Sequence, residues 1–199
     1  MRLIRLGLLA LALVSGTPAG AADDPAADTV RKIYARFEET VRNGAPPLPE
    51  RVAAVGPVLE ETFDFPAMVR LAVGSAWSGF TPEQQGAVTE AFRRNFIVTY
   101  ANRLKQAVGG KFEVQGSEKR SPGSVVQTRV TTPDGDESQI DFVLNDDNRV
   151  TDVLLNGNVS EVAGQRASLG EALKTGGADG AVTFLRKRTE GMLAVKPAP

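Results

Sequence analysis

Residues 152–169, DVLLNGNVSEVAGQRASL, pass from a predicted strand directly into a predicted helix. Val153 and Leu155 point to one face of that strand, because side chains alternate along an extended chain. Leu154 and the preceding Val150 point to the other face. A sheet with one wet face alternates apolar with polar residues, and this strand does not. Two alternatives follow for the second face: more protein covers it, or a ligand does.

The chain between Gly110 and this strand has the same two-residue alternation, which predicts further strands. The joints between them are short and rich in Ser, Pro, Asp, Gly and Asn, so neighbouring strands are predicted to be antiparallel. The four predicted strands have the sequences KFEVQG, SVVQTRVT, SQIDFVL and RVTDVLLNG.

Helical spacing marks the segments on both sides of the predicted sheet. A helix is predicted over about 28–42, a second from Leu48 to Leu59, and a third opening at Pro66. After the sheet, one helix is predicted to end at KTGG, and Asp179 can cap a last one.

The clearest helix start is FTPEQQ, residues 80–85. Thr81 can cap the first turn, and Gln84 completes a capping box. This helix is predicted to run to about Val108 and to end at Gly109–Gly110. The fold class is therefore α+β, with helices packed on a four-stranded antiparallel sheet. If a ligand covers the second face of the strands, the expected arrangement is a strongly curved sheet that encloses an apolar cavity.

The first 22 residues have the pattern of a secretory signal peptide: two arginines, an apolar run over 6–14 and a small-residue end. The apolar run is too short for a permanent membrane anchor, although an uncleaved anchor is the alternative. A single domain is predicted over 23–195. Hydrophobic residues make up 42% of the chain and charged residues 24%, as in ordinary folded domains.

Composition excludes several classes of protein. Loss of residues 1–22 would leave 21 basic against 24 acidic side chains, a charge of about −3 and the wrong sign for a nucleic-acid binder. The sequence contains no Cys and no His. Disulfides, His-based catalytic triads and His or Cys zinc sites are thereby excluded.

Other catalytic or metal motifs are weak. Ser75 and Ser78 lie near glycines but without the G-x-S-x-G spacing. The acidic run DGDESQ lacks the spaced ligands and final Glu of a calcium loop, which favours a solvated turn. GGADG lacks the Lys of a phosphate-binding loop. The sequence predicts no enzyme, no metal site and no cofactor.

Arg166 falls on the apolar seam of the helix that follows the last strand, where an unpaired charge is costly. Asp152 is a candidate partner, which would make the pair structural. The alternative is that Arg166 contacts a ligand head group or a partner protein.

The long helix carries an apolar stripe at intervals of four residues: Phe92, Phe96, Tyr100 and Leu104. Such a stripe is ordinary core in one interpretation. In the other, it faces the apolar strands across an enclosed cavity, with small aliphatic residues as a smooth lining.

Two blocks resemble the MlaC-like family of periplasmic lipid-binding proteins, also called toluene-tolerance auxiliary proteins. The first is residues 63–104, FDFPAMVRLAVGSAWSGFTPEQQGAVTEAFRRNFIVTYANRL, and the second is residues 149–169, RVTDVLLNGNVSEVAGQRASL. Asn156 stands where the family usually has Glu, and Val150-Thr151 replaces an aromatic pair. These departures are more similar to the hopanoid-associated HpnM branch than to the phospholipid carriers.

The resemblance implies a shuttle that carries a phospholipid or a hopanoid-like lipid between an outer-membrane lipoprotein complex and an inner-membrane ABC transporter with an MCE subunit. Lipid tails would lie between the sheet and the helices. By face and spacing, the residues expected to line the site are Phe65, Met68, Val69, Val73, Phe92, Phe96, Tyr100, Leu104, Val126, Val130, Ile140, Phe142, Val153 and Leu155, with Arg166 and Asp152 as structural or head-group residues.

The sequence is also compatible with two other functions. One is a lipid-free periplasmic adaptor with a solid interior that docks membrane complexes, which a cavity-blocking substitution such as Val153→Trp would distinguish from a carrier. The other is a hydrolase that uses a buried carboxylate, for which a strongly raised Asp or Glu pKa would be the sign.

Overall fold

The computed structural model describes residues 24–195, and the predicted signal peptide lies outside them. The helices in this range are α1 (Pro25–Val41), α2 (Leu48–Thr62), α3 (Phe65–Val73), α4 (Pro82–Arg103) and α5 (Glu161–Ala194). The strands are β1 (Lys111–Lys119), β2 (Ser124–Thr131), β3 (Glu137–Leu144), β4 (Val150–Leu155) and β5 (Val159–Ser160). The predicted α+β class is confirmed.

Polar side chains start the helices where the sequence indicates. The Asp24 carboxylate accepts from the backbone N–H of Ala27 at the start of α1, at 3.0 Å. The predicted capping box is present in α4, where Thr81 and Gln84 each bond the other's backbone N–H. These caps satisfy amide groups that have no partner inside the helix.

α4 ends at Arg103 rather than at the predicted Val108, because the chain tightens into a 3₁₀ turn over Leu104–Ala107. Such a turn is a common way to finish a helix. Gly109 then takes a φ of +73°, which an L side chain rarely adopts, and the chain turns into β1. α5 is interrupted at Gly177, with φ +55°, at the KTGG segment where the sequence predicts a helix end.

The sheet is an antiparallel meander in the order β1-β2-β3-β4-β5, and it is not closed. The prediction of four strands was one short. β5 has only two residues, which pair with Leu154 and Leu155, and periodicity cannot detect so short a strand.

A register shift in β4 determines which of its apolar side chains point to each face of the sheet. Leu144 pairs with Val150 and Phe142 pairs with Val153, so a bulge puts Val150 and Val153 on the same face. Both are fully buried against the helices. Leu154 alone turns to the other face, where it is half-buried, so the prediction that Val150 shares its face was wrong.

The helices pack on one side of the sheet and on each other. α1 lies against β1 and β2, α3 lies against β4, and α4 packs between α2 and α5. Phe63 joins the layers, because it bridges to Val150 and its ring lies 5.2 Å from that of Phe96. The inner face of the sheet therefore looks onto α1 and α4.

The predicted pairing of Arg166 with Asp152 is not what the structure shows. The Asp152 carboxylate accepts from the Ser160 hydroxyl at 2.5 Å and from the backbone N–H of Val162 at 3.1 Å. Arg166 is exposed, and its guanidinium lies over Gly74, 2.9 Å from where a side chain there would begin. The buried side of α5 is formed by Val162, Gln165 and Leu169, so Arg166 lies beside the seam and not on it.

We expect Asp152→Ala to lower the free energy of unfolding by about 2 kcal/mol, since it removes hydrogen bonds to a charged acceptor that hold the start of α5 onto β4. Urea denaturation measures the change. Asp147→Ala, in an exposed turn, is the control and should stay within about 0.5 kcal/mol of the parent protein. Equal effects of the two substitutions would contradict the assigned role.

Candidate functional site

An apolar cavity of about 220 Å³ lies between the inner face of the sheet and the helices α1 and α4. Its wall combines residues from six elements and the 3₁₀ turn. They are Tyr34, Phe37, Tyr100, Arg103, Leu104, Gln106, Ala107, Phe112, Val130, Thr132, Ser138, Ile140, Phe142 and Leu155.

The inner wall is aromatic and aliphatic. The Tyr34 ring centre lies 5.0 Å from that of Phe112 and 5.6 Å from that of Phe142, and Phe37 packs against Phe112 at 6.2 Å. Leu104 closes the α4 side and is buried. This end of the cavity offers dispersion contacts and few hydrogen-bonding groups, which suits a hydrocarbon.

Four polar side chains also line the cavity. Arg103, Gln106 and Ser138 are exposed, and Thr132 is half-buried. We call these four residues the polar rim. The lining therefore combines an aromatic and aliphatic set with four polar side chains, around a space that protein atoms do not fill.

Arg103 is held in place at the rim by a charged partner. Its guanidinium donates to the carboxylate of Glu161 at 2.9 Å, and the guanidinium carbon lies 5.7 Å from the centre of the Tyr100 ring. Glu161 is buried, whereas Arg103 is half-exposed, so the pair presents a positive group towards solvent and the cavity opening.

The chain has two tyrosines, and both are in the cavity wall. The Tyr34 hydroxyl is 2.5 Å from the Thr128 hydroxyl, which in turn bonds the carbonyl of Ile140. The Tyr100 hydroxyl is buried and has no hydrogen-bond partner. Burial raises the pKa of both phenols well above their usual value, and the Glu161 charge adds to the effect at Tyr100.

The predicted site residues divide into two groups. Six line the cavity: Tyr100, Leu104, Val130, Ile140, Phe142 and Leu155. Eight lie elsewhere in the hydrophobic core: Phe65, Met68, Val69, Val73, Phe92, Phe96, Val126 and Val153. A lipid contact at any of the fourteen stays a prediction.

Several residues of the cavity wall, and all four residues of the polar rim, were not predicted from the sequence. Tyr34 and Phe37 are on the helical stripe of α1, and Phe112 alternates along β1, so their faces were detectable. The sequence does not show that these three side chains face the same cavity, because that depends on contacts between residues far apart in the chain. The rim residues carry no local signal at all.

A larger groove of about 490 Å³ runs between α2, α4 and the end of α5. Charged side chains border it, including Arg93, which bonds Glu90 at 2.6 Å and also pairs with Glu60. We assign the site to the smaller cavity because apolar side chains of the sheet and helices form most of its wall.

Two further observations concern residues 24–195 alone. No helix there combines the length and the apolarity needed to cross a membrane. Nor does this part of the chain bring together three acidic side chains as ligands for a metal ion.

Comparison with known sequences identifies the family of this chain. The sequence model of the MlaC protein family matches residues 27–187. The chain belongs to the MlaC family. The predicted family is thereby confirmed, whereas the HpnM branch remains a prediction. No protein with a curated description matches the chain.

A solved structure shares the MlaC-type fold. It is the phospholipid-binding protein from Ralstonia solanacearum in complex with a phospholipid, with a TM-score of 0.70 and 23% sequence identity. The match covers 84% of this chain and 96% of that one. At this identity, the comparison establishes that the two proteins have the same fold.

The raised tyrosine pKa values predict an unusual alkaline titration. The fold favours the neutral phenol, so this contribution to stability is complete below about pH 10 and is lost as the pH rises through the folded-state values. Absorbance at the tyrosinate band should show almost no ionisation at about pH 11 in the folded protein and two tyrosinates in denaturant. Two tyrosinates in a chain that circular dichroism shows to be folded would contradict the burial.

Proposed function

We propose that this protein is a periplasmic lipid carrier, with the tails of a phospholipid or hopanoid-like lipid in the cavity and the head group at the polar rim. The observation that carries the proposal is the amphipathic lining of the cavity. Most of its wall is aromatic and aliphatic, and the exposed polar side chains Arg103, Gln106 and Ser138 complete it. An amphiphile likewise combines an apolar tail with a polar head.

The energetics favour a carrier with an apolar cavity and few polar groups. Burial of one CH₂ is worth about 0.8 kcal/mol, so a tail of about twelve carbons costs on the order of 10 kcal/mol to leave in water. A shuttle has to supply that energy while the lipid is between membranes. Membership of the MlaC family and the phospholipid bound by the Ralstonia solanacearum relative support this function over catalysis.

The cavity has to widen for a whole lipid, because 220 Å³ is below the range of about 300–1,000 Å³ typical of ligand pockets. The aromatic contacts of Tyr34 and Phe37 on α1 with Phe112 on β1 are the place where this can happen. β1 is an edge strand of an open sheet, so it has one neighbouring strand to hold it. Separation of α1 from β1 would admit an acyl chain without disturbing the α4–α5 contact.

Location and partners follow from the same proposal. Residues 1–22 would direct export and be removed, leaving a single lipid-binding domain over 23–195. The carrier would exchange lipid with an outer-membrane lipoprotein complex and with an inner-membrane ABC transporter that has an MCE subunit. Differential affinity at the two complexes would give the direction of transport.

Protein purified under native conditions and extracted with organic solvent should release about one lipid molecule per chain. Mass spectrometry of the extract gives both the stoichiometry and the chemical class, phospholipid or hopanoid-like. A protein that yields no lipid and takes none up from vesicles would exclude the carrier function.

A cavity-filling substitution separates the carrier from a lipid-free adaptor. Val153 is fully buried in the core, away from the cavity wall, so Trp there would test packing alone. Ile140→Trp instead places a larger side chain in the cavity. We expect a loss of lipid uptake of at least tenfold, with a stability cost of about 1–3 kcal/mol.

Val143→Trp is the matched control, because Val143 is half-buried on the other face of the same strand. It should leave lipid uptake within about twofold of the parent protein. The function of an adaptor that acts by docking does not depend on lipid uptake. Its function in cells would therefore survive Ile140→Trp even though this substitution abolishes uptake.

A further inference from the structure

We propose that Tyr100 is a specificity-determining residue whose hydroxyl donates a hydrogen bond to an ester carbonyl of a glycerol-linked lipid. This inference rests on the proposed carrier function and goes further, because it names the chemical group that is recognised. The Tyr100 hydroxyl would thereby select ester-linked glycerophospholipids over lipids that lack an acyl ester.

The first observation is that the Tyr100 hydroxyl is buried without a partner, on a helix that borders the cavity. A buried hydroxyl that bonds nothing destabilises the fold, and Phe would fill the same space without that cost. The other tyrosine of the wall shows the ordinary arrangement, since the Tyr34 hydroxyl bonds Thr128. The Tyr100 hydroxyl is therefore an unused donor, unlike that of Tyr34, and a ligand reaches it when the cavity widens as proposed above.

The second observation is the position of Tyr100 between the apolar and polar parts of the site. Its ring stacks on Phe96, with centres 4.3 Å apart, on the side of the core. On the other side, one helical turn further along, the guanidinium of Arg103 lies over the same ring. In a glycerophospholipid, the ester groups likewise lie between the acyl tails and the phosphate.

Arg103 sets the depth at which such a lipid would sit. Its guanidinium has five N–H donors, and the structure uses one nitrogen on Glu161. The guanidinium is about half exposed, so its remaining donors suit a phosphate, which Arg binds through paired hydrogen bonds. With the phosphate at Arg103, the ester carbonyls are about one helical turn deeper, at the level of Tyr100.

The Tyr100 hydroxyl keeps its proton and is available as a hydrogen-bond donor. Burial and the nearby Glu161 charge raise the pKa of the phenol, so the proton stays on the oxygen throughout the physiological range. The same negative charge disfavours a free carboxylate beside Tyr100. An ester carbonyl is a neutral acceptor, whereas an ether oxygen is a poor one.

The test compares two synthetic lipids with the same phosphoglycerol head group and the same chain length, one with ester-linked and one with ether-linked chains. Affinities of the delipidated protein are measured by displacement of a fluorescent phospholipid analogue. We expect the parent protein to prefer the ester lipid by roughly 2- to 13-fold, the equivalent of one neutral hydrogen bond. Tyr100→Phe should bind both lipids equally.

Tyr34→Phe is the matched control, because it removes a hydroxyl from the same cavity wall that already has a partner. It should keep the preference for the ester lipid. Thermal unfolding without lipid adds an independent measurement: Tyr100→Phe should be at least as stable as the parent protein, whereas Tyr34→Phe should be less stable because the buried Tyr34–Thr128 hydrogen bond is lost.

Two results would overturn the inference while leaving the carrier function intact. One is a parent protein that binds both lipids with equal affinity. The other is a preference that survives Tyr100→Phe, or that Tyr34→Phe abolishes as well. Failure of the parent protein to bind either lipid would instead overturn the proposed function and this inference with it.

Discussion

The apolar inner face of the antiparallel sheet has to leave water for the chain to fold, and the helices cover it unevenly. Val126 and Val153 are fully buried beneath the helices. On the same face of the sheet, Val130, Ile140 and Leu155 stay half-buried around the cavity. One continuous surface is thus core in one part and cavity wall in another, and no separate domain is needed to form the cavity.

Short-range chemistry explains why much of this fold was predictable. Caps such as Thr81 with Gln84, and the turn residues between strands, act within a few residues, so the sequence alone locates them. The bulge in β4 is different, because it depends on how Leu144 meets Val150 across the sheet. Strict alternation then assigns Val150 to the wrong face, and the apparent two-faced strand disappears once the bulge is known.

The site was less predictable than the fold for a related reason. The α4 stripe gives one pattern from Phe92 to Leu104, yet its first half packs on α3 and α5 and only Tyr100 and Leu104 reach the cavity. Periodicity identifies a buried face but does not say whether protein or ligand covers it. The rim adds Arg103 from the end of α4 and Gln106 from the turn that follows, and exposed polar residues leave no periodic signal.

Tyr100 packs against the hydrophobic core and also lines the cavity. Its ring belongs to the stack that joins α4 to the sheet, while its hydroxyl is a buried group that the folded chain leaves unbonded. Proteins tolerate such a cost mainly where function needs the group, because stability there is exchanged for recognition. A bound acceptor removes the cost, so ligand affinity and fold stability are linked through one oxygen atom. In the proposed complex, an ester carbonyl would complete the hydrogen bonding of the wall and the tails would fill the space.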